Sequence, residues 1–203
     1  TPVVVYGPAG LEAYWQGFLV SMKADIDIRI EDEGRPDLVE LIQFQVIDAG
    51  VVLQTDALTV SAIRTEHPPL VDCFALSFKT ASSHVVFSGD TAPITALEGF
   101  ARGADLLVHE AMLESALPAL MERVGNGSEK LMAHWLRSHT FAHDAGKTAT
   151  KAGVKHLALS HLIPADDPTF GVKDWQDAVT GHWNGTLSIG YDGIKIMLDS
   201  DRS

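Results

Sequence analysis

The sequence predicts an α/β protein built as a layered sandwich of two mixed sheets with helices outside. Three observations lead there. Short apolar runs of strand length alternate with amphipathic segments of helical period along the whole chain. Hairpin signals interrupt this alternation at Ala49-Gly50, over residues 80–83 and at Asp192-Gly193, which a fully parallel doubly wound sheet would not contain. With 203 residues, 46% of them hydrophobic and 21% charged, the chain is long enough for a single domain with a real core.

The elements follow in order. Residues 3–6 read as a buried strand ended by Gly7-Pro8. Over residues 11–22, Leu11, Trp15, Phe18, Leu19 and Met22 recur at helical spacing. Ile26, Ile28 and Ile30 alternate with Asp27 and Arg29, the pattern of a half-exposed strand. The acid-rich stretch 31–37 reads as a solvated turn around Gly34 and Pro36. Residues 41–48, 51–55 and 58–65 read as three short strands, the first two joined as a hairpin. Residues 73–79 and 84–88 form a further hairpin, and 91–102 a helix with Pro93 in its first turn. Residues 105–108 are a buried strand ending at His109-Glu110. The segment 113–138 reads as a helix pair broken at 125–128, expected as an insertion beside the site. A helix over 143–152 ends at Gly153, and a strand over 156–160 presents His161. Residues 173–180 form a short helix with Trp175 and Val179 on one side, and 187–191 with 194–198 a closing hairpin.

Composition narrows the chemistry. A formal charge of −12 with no cluster of Lys or Arg argues against a nucleic-acid partner, because phosphate backbones are held by grouped cations. The single Cys73 rules out a disulfide framework and reads as a small buried residue. No apolar run is long enough to cross a membrane, so a soluble protein is expected, with cytoplasm and periplasm both open. What stands out is the polar side chains placed where strands end. Asp90 follows the strand-like Val-Val-Phe-Ser-Gly, His161 follows Leu-Ala-Leu-Ser, and His67 follows the run over 58–65 and precedes Pro68-Pro69. Two His and an Asp suit zinc, with manganese or iron as alternatives. Each residue taken singly also suits a strand cap or loop contact. His84 reads as a strand-edge residue, His134 and His143 as residues on helix faces, and none of them, nor His182, is assigned any chemistry.

Ser88-Gly89-Asp90-Thr91, then Asp105-Leu-Leu-Val-His109-Glu110-Ala111, then His139-Thr140, then residues 152–164 ending Ser160-His161-Leu162-Ile163-Pro164 occur in one order. This set resembles the second half of a metallo-β-lactamase-fold hydrolase, and is most similar to its ribonuclease Z and arylsulfatase-like branch. The resemblance implies an αββα sandwich, incomplete here because the family's His-x-His-x-Asp-His signature does not occur in the chain. It further implies two zinc ions sharing a hydroxide, with Asp90 bridging them, His67 completing one and His161 the other. By the same resemblance Glu110 and His139 lie near the leaving group, where a His held cationic by a carboxylate protonates a departing oxygen. His109 is expected behind the ligands. The missing ligands are expected from an N-terminal segment or another protein chain, with a homo-oligomer among the arrangements that would supply them. The family's long tRNA-binding arm has no room between His67 and Asp90. A small phosphodiester, an aryl sulfate or another ester is therefore expected ahead of tRNA 3′ processing and of lactone or β-lactam hydrolysis. The contrasting expectation is a non-catalytic fragment or scaffold that keeps the fold alone.

Overall fold

Two parallel strands and two helices account for most of Thr1–Asp48, the first of two units into which a computed structural model divides the chain; the described residues are 1–124 and 128–198. Strand β1 (Val3–Gly7) lies beside β2 (Ile42–Val46), with Val3 opposite Ile42 and Gly7 opposite Val46. Helix α1 (Leu11–Ser21) partly buries Leu11, Trp15 and Leu19 at i, i+4 spacing, while Phe18 and Met22, expected on the same face, stay exposed. The next segment departs from expectation. Ile26, Ile28 and Ile30 lie not on a strand but on helix α2 (Lys23–Glu33). Alternation over five residues cannot distinguish the two, and the charges decide it. Lys23 pairs with Asp27, Arg29 with Asp25 and Arg29 with Glu33, all at i, i+4 and all exposed, each worth about 0.2–0.5 kcal/mol in a helix. Ile26 and Ile30 then share one partly buried face, while Ile28 is 63% exposed. Gly34 ends α2 with φ of 63°, a left-handed conformation that glycine adopts without a steric cost. One turn, α3 (Leu38–Leu41), starts at Asp37, whose carboxylate accepts the Val39 N–H at 2.9 Å, and leads into β2.

The second unit, from Ala49 on, is built on a seven-stranded mixed sheet. Its strands are β3 (Gly50–Gln54), β4 (Thr59–Arg64), β5 (Phe74–Lys79), β6 (His84–Phe87), β7 (Leu106–Met112), β8 (His156–Ile163) and β9 (Thr186–Ile189), side by side in chain order. Neighbours from β3 to β6 are antiparallel, and those from β6 to β9 are parallel. The hairpin expected between 41–48 and 51–55 does not form: β2 pairs with β1, and β3 with β4. The closing hairpin also fails. Ile194 N–H closes a turn onto the Tyr191 carbonyl at 3.1 Å, but no strand follows among the described residues, and Met197 is 85% exposed with no sheet face to cover.

Three helices cover the sheet: α4 (Thr95–Phe100), α7 (Ala142–Ala152) and α8 (Val172–Val179). Helix α7 touches α4, α8, β7 and β8, and its inward residues Ala142, Ala145, Ala149 and Ala152 are small enough to bring its backbone close to the sheet. Leu97, Trp175 and Val179 fill the flanks against Val86, Leu107, Leu157 and Leu159. Helix α4 is shorter than the expected 91–102. Ala92 N–H donates to the Glu66 carbonyl at 2.7 Å and Thr91 N–H to Glu110, so residues 91–92 are held in a loop before the helix can start. Between β7 and α7 lie a 3₁₀ turn (Glu114–Ala116), α5 (Leu117–Val124) and α6 (Ser128–Ser138), the expected helical segment; of the break expected at 125–128, residues 125–127 fall outside the described residues. Cys73 is half-buried, not fully so, and burial pushes its thiol pKa up.

Leu157 is wholly buried near the start of β8. Leu157→Ala is expected to cost about 2–5 kcal/mol, from lost burial and the cavity left behind, read as a lower denaturation midpoint with an unchanged denaturant slope.

Candidate metal centre

Strands β4 and β6 both run antiparallel to β5, so they point the same way, and β7 and β8 run parallel to β6. The carboxyl ends of four strands therefore meet at one edge of the sheet, the place where open α/β sheets bind ligands. His67 follows β4, Asp90 follows β6, Glu110 lies near the end of β7 and His161 near the end of β8.

Local structure aims each side chain. After β6, Gly89 has φ of 60°, and a Cβ there would stand 2.7 Å from the Phe74 carbonyl oxygen, so only glycine fits the turn that delivers Asp90. His161 is reached differently. It is the one non-glycine residue with positive φ among the described residues, at 42°, and it sits where the β7–β8 register slips between the Ser160 and Leu162 pairings. It is a bulge residue, and the bulge turns its ring out of the sheet to an exposed position with Nδ1 3.6 Å from Asp90 Oδ1. The strand expected to stop before His161 continues through it to Ile163. Likewise β7 does not end at His109-Glu110 but runs on to Met112, because Ala111 and Met112 pair with Leu162 and Ile163, and Met112 bridges to Phe141.

Glu110 is 2% exposed and unusually well anchored. Its N–H donates to Ser88 Oγ at 3.0 Å, and its Oε1 accepts the N–H groups of Thr91 at 3.1 Å and Thr140 at 3.0 Å. Thr140 Oγ1 in turn donates to the Thr91 carbonyl at 2.6 Å. His109, also buried, donates from Nδ1 to the Glu110 carbonyl at 2.7 Å, and burial pushes its pKa down, so it is a neutral ring inside the sheet. His139 Nδ1 is 3.3 Å from Glu110 Oε1, an ion-pair distance, yet not aligned as a hydrogen bond. His139 Nδ1 and Glu110 Oε2 are thus both buried without a hydrogen-bond partner. Such groups are costly unless something unseen uses them.

His134, given no chemistry from sequence, is brought into this cluster by α6. Its ring lies edge-on to His67 with centroids 5.3 Å apart and edge-on to His139 at 5.8 Å. His67 and His139 are 4.9 Å apart, and His139 and His161 stack at 5.7 Å. Burial, then the neighbouring His67, His139 and Arg137, push the His134 pKa down against a contact with the Pro68 carbonyl. Ligand atoms of His67, His134 and His139 lie within 4.8 Å of one another, as do those of Glu110, His139 and His161. A donor set of imidazoles and carboxylates with buried orphan atoms fits a borderline divalent cation such as zinc. The spacing His134-x₄-His139 in sequence carried no recognisable ligand pattern, because the two residues lie on either side of a helix end. His84 instead bonds Ser77 Oγ across the hairpin at 2.8 Å, and His143 stacks on Phe141, both away from the cluster.

No family model matches the chain. Among curated proteins it is 26% identical over 202 residues to a putative ribonuclease Z of Mycobacterium tuberculosis, spanning 99% of this chain and 86% of that protein. It is 27% identical over 198 residues to the ribonuclease Z of Mycolicibacterium gilvum, spanning 66% of its length. In structure it is similar to the metallo-β-lactamase fold protein YhfI of Bacillus subtilis, with a TM-score of 0.61 and 21% identity over 95% of this chain and 64% of that one. The short form of human tRNase Z gives 0.60 and 16% over 98% and 68%, and zinc-bound PqqB of Methylobacterium extorquens 0.57 and 16% over 97% and 63%.

At the turn before Asp90 the consequence is direct. Gly89→Ala adds a Cβ that meets the Phe74 carbonyl and imposes a left-handed alanine, expected to cost about 1–3 kcal/mol. Chemical denaturation reads the loss; an alanine variant as stable as the parent would mean that the turn relaxes freely.

Proposed function

We propose that this chain, which has the metallo-β-lactamase fold, carries the Asp- and His-bearing half of the metal site of a hydrolase acting on phosphodiesters or related esters. The observation that carries the reading is the convergence of His67, Asp90, Glu110, His139 and His161 on one sheet edge, from sequence positions far apart. In this reading Asp90 would be a ligand to both zinc ions, His67 to one and His161 to the other, with manganese or iron as alternatives. The remaining ligands come from outside these 203 residues, since the His-x-His-x-Asp-His pattern does not occur in them.

When bound, the ions supply Lewis-acid activation of water and stabilisation of charge at the attacked centre. The chain's own residues do the rest. Asp90, whose turn is held by Gly89, and His161, held out by its bulge, orient the reacting end of the site. Glu110, held by two backbone N–H groups, keeps a carboxylate oxygen 3.3 Å from His139 Nδ1. His139 then holds the proton that the leaving oxygen needs.

The substrate class follows two observations that pull apart. The charge of −12 and the short connection from His67 to Asp90 favour a small ester. The sequence relatives are named ribonuclease Z, which does not support excluding nucleic acid and favours an RNA phosphodiester. A phosphodiester is common to both. The deciding assay sets bis(4-nitrophenyl) phosphate beside a tRNA precursor, using the chain joined to the ligand-bearing segment. Hydrolysis of neither, in zinc-loaded protein, would leave the fold without the chemistry.

Four variants test the residue roles. Asp90→Ala is expected to remove both metal ions, whereas His67→Ala and His161→Ala each weaken mainly one, measured as metal per chain after dialysis. His139→Ala is expected to lower kcat about 10²–10⁴-fold for an alkyl ester and far less for its nitrophenyl analogue, whose leaving oxygen needs little protonation. Equal losses on the two substrates would assign His139 to binding or structure.

A further inference from the structure

The roles above use His67 and His139 singly and His134 not at all, yet the three rings form one set. Each ring is edge-on to the other two, with interplanar angles of 86°, 82° and 89° and centroid separations of 5.3, 4.9 and 5.8 Å. A tetrahedral zinc about 2.05 Å from three imidazole nitrogens places those nitrogens about 3.3 Å and the ring centroids about 5.2 Å apart. The observed separations scatter around that value, and the ligand atoms already lie within 4.8 Å of one another.

The tautomer of His134 also fits. Ser138 Oγ lies 2.9 Å from the Pro68 carbonyl oxygen, which only accepts, so the single hydroxyl proton goes there. Ser138 Oγ must therefore accept from His134 Nδ1, 3.2 Å away. Nδ1 carries the ring proton, and Nε2 keeps its lone pair. At His139 the Glu110 carboxylate stands 3.3 Å from Nδ1, an ion-pair distance without hydrogen-bond alignment, on the side of the ring away from Nε2. An acceptor behind the outer nitrogen of a ligating histidine is the arrangement that orients such ligands and raises their basicity.

We propose that His67, His134 and His139 hold one divalent transition-metal cation within this chain alone, with Ser138 orienting the His134 ring and the Glu110 carboxylate standing beside His139. The proposal rests on reading this sheet edge as a metal centre, but it needs neither the ligands from outside the chain nor any substrate. A His139 that holds a cation through Nε2 has no proton to give there. The three-histidine state is therefore a resting site, separate from the arrangement in which His139 acts as an acid.

The test is a titration of the 203-residue chain with Co²⁺, followed by calorimetry and by the visible absorption of tetrahedral cobalt. One equivalent is expected to bind with that absorption. His134→Ala is expected to weaken binding at least 10-fold, and Ser138→Ala about 10-fold, at the lower end of the 10–100-fold typical of such outer partners. His161→Ala is expected to leave binding unchanged. Far-UV circular dichroism checks folding, and His134→Asn serves if the alanine variant unfolds. Unchanged affinity in the His134 variants, loss of binding in His161→Ala, or no Co²⁺ bound by the parent chain would each overturn the proposal. Because no step uses catalysis, an inactive but Co²⁺-binding chain would fail the hydrolase reading and leave this one standing.

Discussion

The anchoring of Glu110 is the constraint on which the site depends. One residue of β7 ties together the loop after β6, through Ser88 and Thr91, and the segment after α6, through Thr140. Its carbonyl is held as well, by the buried ring of His109. A carboxylate accepting two backbone N–H groups away from water makes charge-assisted bonds, each stronger than a neutral one. Removing it would leave those donors unpaired inside the protein, so the segments carrying Asp90 and His139 are positioned relative to one another by the same few atoms.

Around that anchor the sheet does two jobs. Its antiparallel half turns β4 to run with β6, and its parallel half sets β6, β7 and β8 side by side. The result is that residues 67, 90, 110 and 161 share an edge although nearly a hundred residues separate the first from the last. Where a regular strand would keep a side chain in line with the sheet, local irregularity moves it: a glycine turn for Asp90 and a bulge for His161. Positive φ at a non-glycine residue costs energy, and such strain is found where a side chain must be aimed. The stability for this comes from the face of the sheet where the alanine-rich side of α7 lies on β7 and β8.

Much of this was legible in the amino-acid sequence, because it depends on short-range pattern. The runs that became β4, β5 and β8 bury apolar side chains, and α1 and α8 repeat apolar residues at helical spacing, whereas β1, read as a buried strand, leaves Val3, Val4 and Tyr6 exposed. Asp90, His161 and His67 could be singled out because each follows such a run. The order of the motifs, more than any one of them, pointed to the fold that the structural likenesses share.

What the tertiary structure alone decided is equally specific. Five residues of alternation over 26–30 fit strand and helix alike; the helix that forms also brings Lys23 to Asp27, Asp25 to Arg29 and Arg29 to Glu33, and it partly buries Ile26 and Ile30 on one face. Pairing partners were also undetermined: a turn between 48 and 51 is compatible with a hairpin, yet β2 joins β1 and β3 joins β4, since backbone hydrogen bonds carry no sequence label. His134 is the clearest case. Nothing in its neighbours along the chain marks it, and its place beside His67 and His139 exists only because α6 packs where Ser138 reaches the Pro68 carbonyl. The sequence by itself determined which residues are able to ligate, through their chemistry and their positions at strand ends. Which of them meet was decided by the packing of elements distant in the chain, because that depends on register and helix placement, which no local pattern encodes.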